Sequence, residues 1–384
     1  MKGMTVKHSR SIVRLPIVAA LVFAALIIAG VAGAQPAVTV VMSNLDNPRG
    51  LVFAPNGALF VAEAGRGGAP CPGTMGLNCY GLTGAVSRYW KGRQDRVATG
   101  LPSISFPQGA QARGPHDISM LGLGNARVTI GLEADPASRV TLGRPGLGWL
   151  VDVPASTLMA PSTQSRTDEW SFAVDVAAYE TMHNPDSSRL ESDPYAILAL
   201  PGHSVVVDAG ANALLDVDEH GEVSLLGVFP SRPGRSTDSV PTSVAVGPDG
   251  AYYVSEFTGF GAPLPPPGDA KIYRVVPGEG VQVFCTGFNR IIDIAFDADG
   301  RLYVLQIYAR PTPTDPGPGV LWHVTPPPPD SLDHSCPDRE LVDTGVVLDT
   351  PTAIAIGPDR ALYISNRGTR VGVGEVLRIE PSVP

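Results

Sequence analysis

The sequence carries few of the motifs that mark an enzyme. Its 384 residues contain no Gly-x-Ser-x-Gly elbow for a nucleophilic serine, no phosphate-cradling P-loop and no His-Glu-x-x-His metal helix. Lysine is nearly missing beyond residue 34, where only Lys91 and Lys271 occur. The other basic residues there are arginines, a composition bias from which nothing functional follows. Positive charge is short as well. Without residues 1–34 the balance is 24 Lys+Arg against 37 Asp+Glu, a net charge of −13. That acidity argues against nucleic acid and anionic membrane surfaces as partners. Past residue 34 no stretch is long and apolar enough to span a bilayer. No lipobox cysteine is present, so a lipoprotein is not expected.

The first 34 residues have a character of their own. Lys2, Lys7, Arg10 and Arg14 form a basic segment without an acid, Leu15 to Val31 is almost wholly apolar, and Ala32-Gly33-Ala34 supplies small residues before Gln35-Pro36. This is the three-part pattern of a secretory signal peptide, with an uncleaved anchor as the rival reading. The expected organisation is a signal peptide over 1–34 and one domain over 35–384. The expected product is secreted, extracellular or periplasmic, a monomer with no stable membrane span after cleavage.

Only four cysteines occur: Cys71, Cys79, Cys285 and Cys336. In an oxidising compartment they can pair, and four cysteines allow three connectivities. Cys71 and Cys79 share one Gly-rich loop, so the preferred pairing is Cys71–Cys79 with Cys285–Cys336. A zinc site is the weaker reading, because neither pair has close Cys-x-x-Cys spacing or a nearby His pair.

Glycine and proline are abundant, at 43 and 38 residues, and together exceed a fifth of the chain. With 43% hydrophobic residues this composition fits many short strands joined by turns and does not fit disorder. One pattern recurs: an apolar run, a Pro/Asp/Gly turn, and a second β-rich run. It reads Gly50-Leu-Val-Phe-Ala-Pro-Asn-Gly-Ala-Leu-Phe-Val61 and returns at Ser243–Val254, Asp293–Val304 and Ala353–Ile364, where Arg360 takes the glycine's place. Two divergent copies lie at His116–Ile130 and Tyr195–Val207. Pro presets φ, Asp or Asn bonds its own backbone and Gly supplies positive φ, so each copy is a hairpin. A third strand follows with a basic residue near its end, as at Arg88, Arg274 and Arg378. Six such four-stranded units read as an all-β, six-bladed β-propeller of NHL/TolB-like type. A β-sandwich pair or a linear solenoid is the alternative. The last unit lacks an obvious fourth strand, and Val38-Thr39-Val40-Val41 can supply it, closing the ring. Asp175–Met182 reads as a short helix between blades.

Several strings in order make the pattern more specific: Asn47-Pro-Arg-Gly-Leu51, Gly114-Pro-His-Asp-Ile118, Val207-Asp-Ala-Gly-Ala-Asn212, Val240–Val254 and Gly374-Glu-Val-Leu-Arg-Ile379. Over about residues 44–380 the chain resembles the ScyD/ScyE family of exported proteins with NHL-type repeats. The family is named for gene products associated with making scytonemin, a cyanobacterial sunscreen pigment. The resemblance implies a secreted propeller and no settled reaction.

Strand geometry narrows where a site belongs. The starts of first strands and the ends of second strands share one face, onto which the loops 66–83, 131–147, 257–269 and 308–318 crowd. Strand starts contribute Arg49, His116, Asp117, Thr242, Asp293 and Thr352. Strand ends contribute Glu63, Asp208, Glu256, Gln306 and Asn366. These are expected to converge on the channel axis, with Arg49, His116, Asp117, Asp293 and Asn366 as ligand-binding candidates. Glu63, Asp208 and Glu256 are the candidate metal ligands, with Ca²⁺ as the cation because it takes several oxygen ligands. The functional expectation is a module that binds a small molecule or an extracellular protein. The alternatives are a divalent-cation-dependent lactonase or esterase, and an accessory protein of extracellular pigment metabolism.

Overall fold

The computed structural model describes residues 1, 3, 36–69, 71, 79–161, 169–230, 238–259, 264–310, 312–328, 331 and 333–380. The signal-peptide reading falls almost wholly outside these residues. Among them, no helix is long and apolar enough to cross a membrane. Residues 35–384 form one compact unit.

That unit is a six-bladed β-propeller. Each blade is a four-stranded antiparallel sheet. Blade I comprises Pro48–Phe53, Leu59–Glu63, Cys79–Trp90 and Arg93–Ser105, from inside outward, and blade II Pro115–Met120, Ala126–Ile130, Trp149–Val153 and Ser171–Asp175. Blade III is Pro194–Leu200, His203–Asp208, Ala213–Asp218 and Val223–Val228, and blade IV is Pro241–Val246, Tyr252–Glu256, Ala270–Val276 and Gly280–Phe288. Blade V is Ile291–Phe296, Leu302–Gln306, Val320–Val324 and Arg339–Leu341. Blade VI takes Ala353–Ile356, Leu362–Asn366 and Gly374–Ile379 from the end of the chain. Its outer strand is Val38–Leu45, which pairs antiparallel with Gly374–Ile379. The ring is therefore closed by the N-terminal strand, as expected. The short helix is present at Val176–His183, capped by the Asp175 carboxylate accepting from Ala178 N at 3.2 Å.

The recurrent turn explains the recurrent arginine. Asp249 accepts from Ala251 N within the turn, and its second oxygen accepts from Tyr253 Oη at 3.3 Å and Arg274 Nε at 2.7 Å. Asp359, Tyr363 and Arg378 repeat the arrangement in blade VI. The third-strand basic residue is thus the counter-ion of the turn aspartate. Blade I has Asn56 at the turn, and Arg88 pairs instead with Asp95 at 2.8 Å. Gly57, Gly250 and Gly300 hold φ near 80°, and Arg360 occupies the equivalent left-handed position at φ 63°.

Apolar faces of adjacent blades interlock. Phe60, Val86 and Leu101 of blade I pack with Ile118, Val128 and Val151 of blade II in one buried cluster. Inner strands are also tied by hydroxyls: Thr242 donates to Ile291 O, Thr352 to Pro48 O and Ser365 to Arg49 O. Both preferred disulfides are formed. Cys71–Cys79 closes its local loop, and Cys285–Cys336 joins the outer strand of blade IV to the segment leading into the outer strand of blade V.

Candidate functional site

The site grows from one repeated irregularity. In blades I to V the first residue of the inner strand pairs with the last residue of the second strand: Pro48 with Glu63, Pro115 with Ile130, Pro194 with Asp208, Pro241 with Glu256, and Ile291 with Gln306. The register then slips, and the next residue has no cross-strand partner. Such a bulge re-aims the side chain it frees. The freed residues are Arg49, His116, Tyr195, Thr242 and Ile292. All five line a cavity of about 430 Å³ at the channel mouth. Residues from the loops after second strands complete the wall, among them Glu133, Gly210, Phe257, Ile307 and Tyr308, with Thr369 contributed by blade VI. This size suits a small-molecule site.

The deep end of the cavity is polar and poorly satisfied. His116 is 3% exposed, and neither ring nitrogen has a hydrogen-bond partner among the described residues. Its Nδ1 lies 3.6 Å from Asp193 Oδ1, and its ring lies 4.7 Å from that of Tyr195. Arg49 is 7% exposed, donates from Nη2 to Ala112 O at 2.8 Å, and leaves Nε unpaired. Gly131 makes the His116–Asp193 approach possible, because a Cβ there would collide with both side chains.

Burial sets the protonation states. Desolvation, assisted by the guanidiniums of Arg49 and Arg113, holds His116 well below its ordinary range, so the ring is neutral at pH 7. Burial, with Glu133 nearby, pushes the Asp193 carboxyl well up. Burial likewise takes the Tyr195 hydroxyl to about 12. A neutral imidazole with two unpaired nitrogens can both donate and accept.

The structure divides the sequence-derived candidates. Arg49, His116 and Thr242 meet in the cavity. Asp117 and Asp293 are absent from its lining and instead tie inner strands together. Asp117 accepts from Ile118 N and from Ile197 N of the next blade, and Asp293 from Ile294 N and from Ile354 N of the next blade. Burial raises them to about 8 and about 6 respectively.

The strand-end residues stay one to a blade. Glu63 accepts from Asp46 N, Ser87 Oγ and Arg96; Asp208 from Asp193 N, Ser192 Oγ, Gly210 N and Ala211 N; Glu256 from Ser239 Oγ, Lys271 N and Tyr273 Oη. Gln306 accepts from Asn289 N and Asn366 from Asp349 N. Each residue latches the chain that enters, or the strand that follows, its own blade. Their expected convergence on the axis is not what the structure shows: Glu63, Asp208 and Glu256 are fully buried and spend their lone pairs locally. Among the described residues no group of three or more His, Cys, Asp or Glu side chains is placed to hold a metal ion.

Sequence reasoning passed over Tyr195 and Asp193. The available signal was the dipeptide of Pro and a second residue opening the inner strands at Pro48-Arg49, Pro115-His116, Pro194-Tyr195 and Pro241-Thr242. Asp193 directly precedes one of these prolines.

No family model matches the sequence, and no curated protein matches it. Solved structures do. A Thermus thermophilus oxidoreductase described as a glucose dehydrogenase aligns over 90% of this chain and 100% of its own, with 16% identity and a TM-score of 0.56. A PQQ-bound aldose sugar dehydrogenase from Streptomyces coelicolor covers 90% and 98%, with 12% identity and a TM-score of 0.52. A Bacteroides thetaiotaomicron protein of unknown function covers 90% and 76%, with 9% identity and a TM-score of 0.54. At these identities the likeness speaks to the fold.

Proposed function

We propose that this protein is an exported β-propeller that binds a small molecule at the mouth of its central channel. The observation that carries the reading is the set of bulge-projected side chains, Arg49, His116, Tyr195 and Thr242. They converge from four blades on one cavity, where buried nitrogens of Arg49 and His116 lack partners. Unpaired buried polar atoms cost stability unless a ligand or water meets them. The two disulfides support an oxidising, exported setting. The test is a thermal-shift screen of small polar compounds on the purified protein, because a ligand selective for the native state raises Tm. Hits should be lost in His116→Gln and Tyr195→Phe and kept in the remote Asp152→Asn. Hits indifferent to both cavity substitutions would refute the reading.

A second reading, hydrolysis of a small ester or lactone, draws on the approach of Asp193 to His116. A neutral imidazole can take a proton from water, and the neighbouring carboxyl can fix its orientation. Turnover of an ester and lactone panel should then vanish in His116→Gln. The ordered strings from Asn47 to Ile379 also support a place among the ScyD/ScyE proteins. In that reading the cavity serves extracellular pigment chemistry.

A further inference from the structure

Deepening the binding reading on which it rests, we infer that the cavity's ligand is a small organic acid whose carboxylate seats on Arg49. The charges on the lining single out this residue. Arg113 is paired with Glu133 and Arg189 with Glu191, while Asp238 stands beside Arg189 at the rim. Asp193 faces His116, and its burial favours the protonated, neutral form. Arg49 alone among the lining arginines has no carboxylate partner among the described residues; its one hydrogen bond is to a neutral carbonyl. A guanidinium does not give up its proton when buried. A cation at 7% exposure without a counter-ion is therefore an unsatisfied charge, and an incoming anion completes it.

The remainder of the wall says what kind of anion. Inorganic ions fill little of a 430 Å³ cavity. Phe257, Ile292, Ile307 and Val240 give the same cavity an apolar side, suited to the carbon body of an organic acid. His116, with both ring nitrogens unpaired and the Arg49 guanidinium acting on it, can donate to the acid head from its one N–H and accept a hydroxyl of the ligand with the other nitrogen. The ligand class is thus a compact carboxylate with an apolar flank.

Matched pairs test this: benzoate and benzamide, cyclohexanecarboxylate and its amide, 2-furoate and its amide. Each is titrated into the purified protein by calorimetry at low ionic strength, with sulfate as the inorganic control. The acids should bind at least about ten-fold tighter than their amides, the range of one charge-assisted contact. Arg49→Met should remove that preference, bringing the affinity for each acid down to that for its amide. Arg49→Lys should keep the preference at weaker affinity, and added NaCl should weaken the acids alone. Equal affinity for acid and amide overturns the inference and leaves the binding reading standing. Acid preference that survives Arg49→Met overturns it by placing the anion elsewhere. Sulfate binding as tight as benzoate overturns the organic part. Absence of binding by every acid up to about 10 mM overturns the inference and leaves the binding reading to the thermal-shift screen. If Arg49→Met does not fold, the wild-type acid–amide and salt comparisons decide alone.

Discussion

Replacing Asp208 with alanine removes the acceptor for four donors at once. Asp193 N lies 2.7 Å from the carboxylate, Ser192 Oγ 2.6 Å, and Gly210 N and Ala211 N 3.1 Å each. The serine hydroxyl can rotate to another acceptor, and Gly210 is only half-buried. The amides of Asp193 and Ala211 are left buried without partners. Each such group costs about 1–3 kcal/mol. Burial raises the Asp208 pKa, so losing the carboxylate also relieves some desolvation. The net is about 3 kcal/mol. With an unfolding entropy of about 2 cal/mol/K per residue, a domain this size loses about 4 °C in Tm. Asp208→Asn retains one acceptor oxygen and should lose about half as much. Differential scanning calorimetry of the three proteins, with and without EDTA, decides. A change under about 1 °C for the alanine variant would show that the latch carries little stability. A wild-type Tm that falls in EDTA while that of Asp208→Ala does not would restore the residue as a cation ligand.

Gly131→Ala should displace His116 from Asp193 and abolish small-molecule binding in the thermal-shift assay while the circular dichroism of the sheets is unchanged; retained binding would show that the approach is not needed. Cys285 and Cys336 are 51 residues apart and Cys71 and Cys79 only 8, so chain-entropy reasoning assigns about 4 and about 2.5 kcal/mol to the two bridges. Calorimetry of paired Cys→Ser variants should show the larger loss of Tm for the 285–336 pair, and the reverse order refutes the argument. Stability should fall as the pH rises from 6.5 to about 8 and level off above that. Asp117, raised to about 8 by burial, then holds a proton in the folded state that the unfolded carboxyl, at about 3.9, has already released. Below that window His116, whose value is lowered, contributes in the opposite direction. Thermal melts across this range should slope downward and flatten in Asp117→Asn; a rising profile would contradict the assignment.

Much of this architecture can be read from residue order because the turn chemistry repeats. Asp249, Asp297 and Asp359 mark three hairpins, and the third-strand arginines mark the strands that answer two of them. Val38–Val41 is visible as the strand the sixth blade lacks, and the structure extends it to Leu45. The site was only half legible. Alternation along a strand tells which residues share a face, but the bulge after Pro194 breaks that alternation where Tyr195 turns into the cavity. Glu63, Asp208 and Glu256 misled for a related reason. Polar residues at strand ends suggest a channel lining, yet a carboxylate there can instead reach the amides of the incoming chain. Periodicity does not distinguish these outcomes; the backbone path between strands does. Asp193 belongs to such a path, and only its place before Pro194 sets it apart.

Pairing Val38 with Ile379 has a consequence for biogenesis. A chain that emerges amino end first delivers the closing strand before anything exists for it to close upon. Until the final hairpin arrives, five blades stand as an open arc, with the apolar faces of blades I and V that blade VI covers left bare and Val38–Leu45 unpaired and able to capture another chain. Closure is the most sequence-distant strand pairing among the described residues, and such contacts form late and slowly. A carboxy-terminal truncation would therefore also strand the other end, leaving Val38–Leu45 as a loose adhesive ribbon. Quality control for this protein turns on whether the two ends find each other before they find a neighbour.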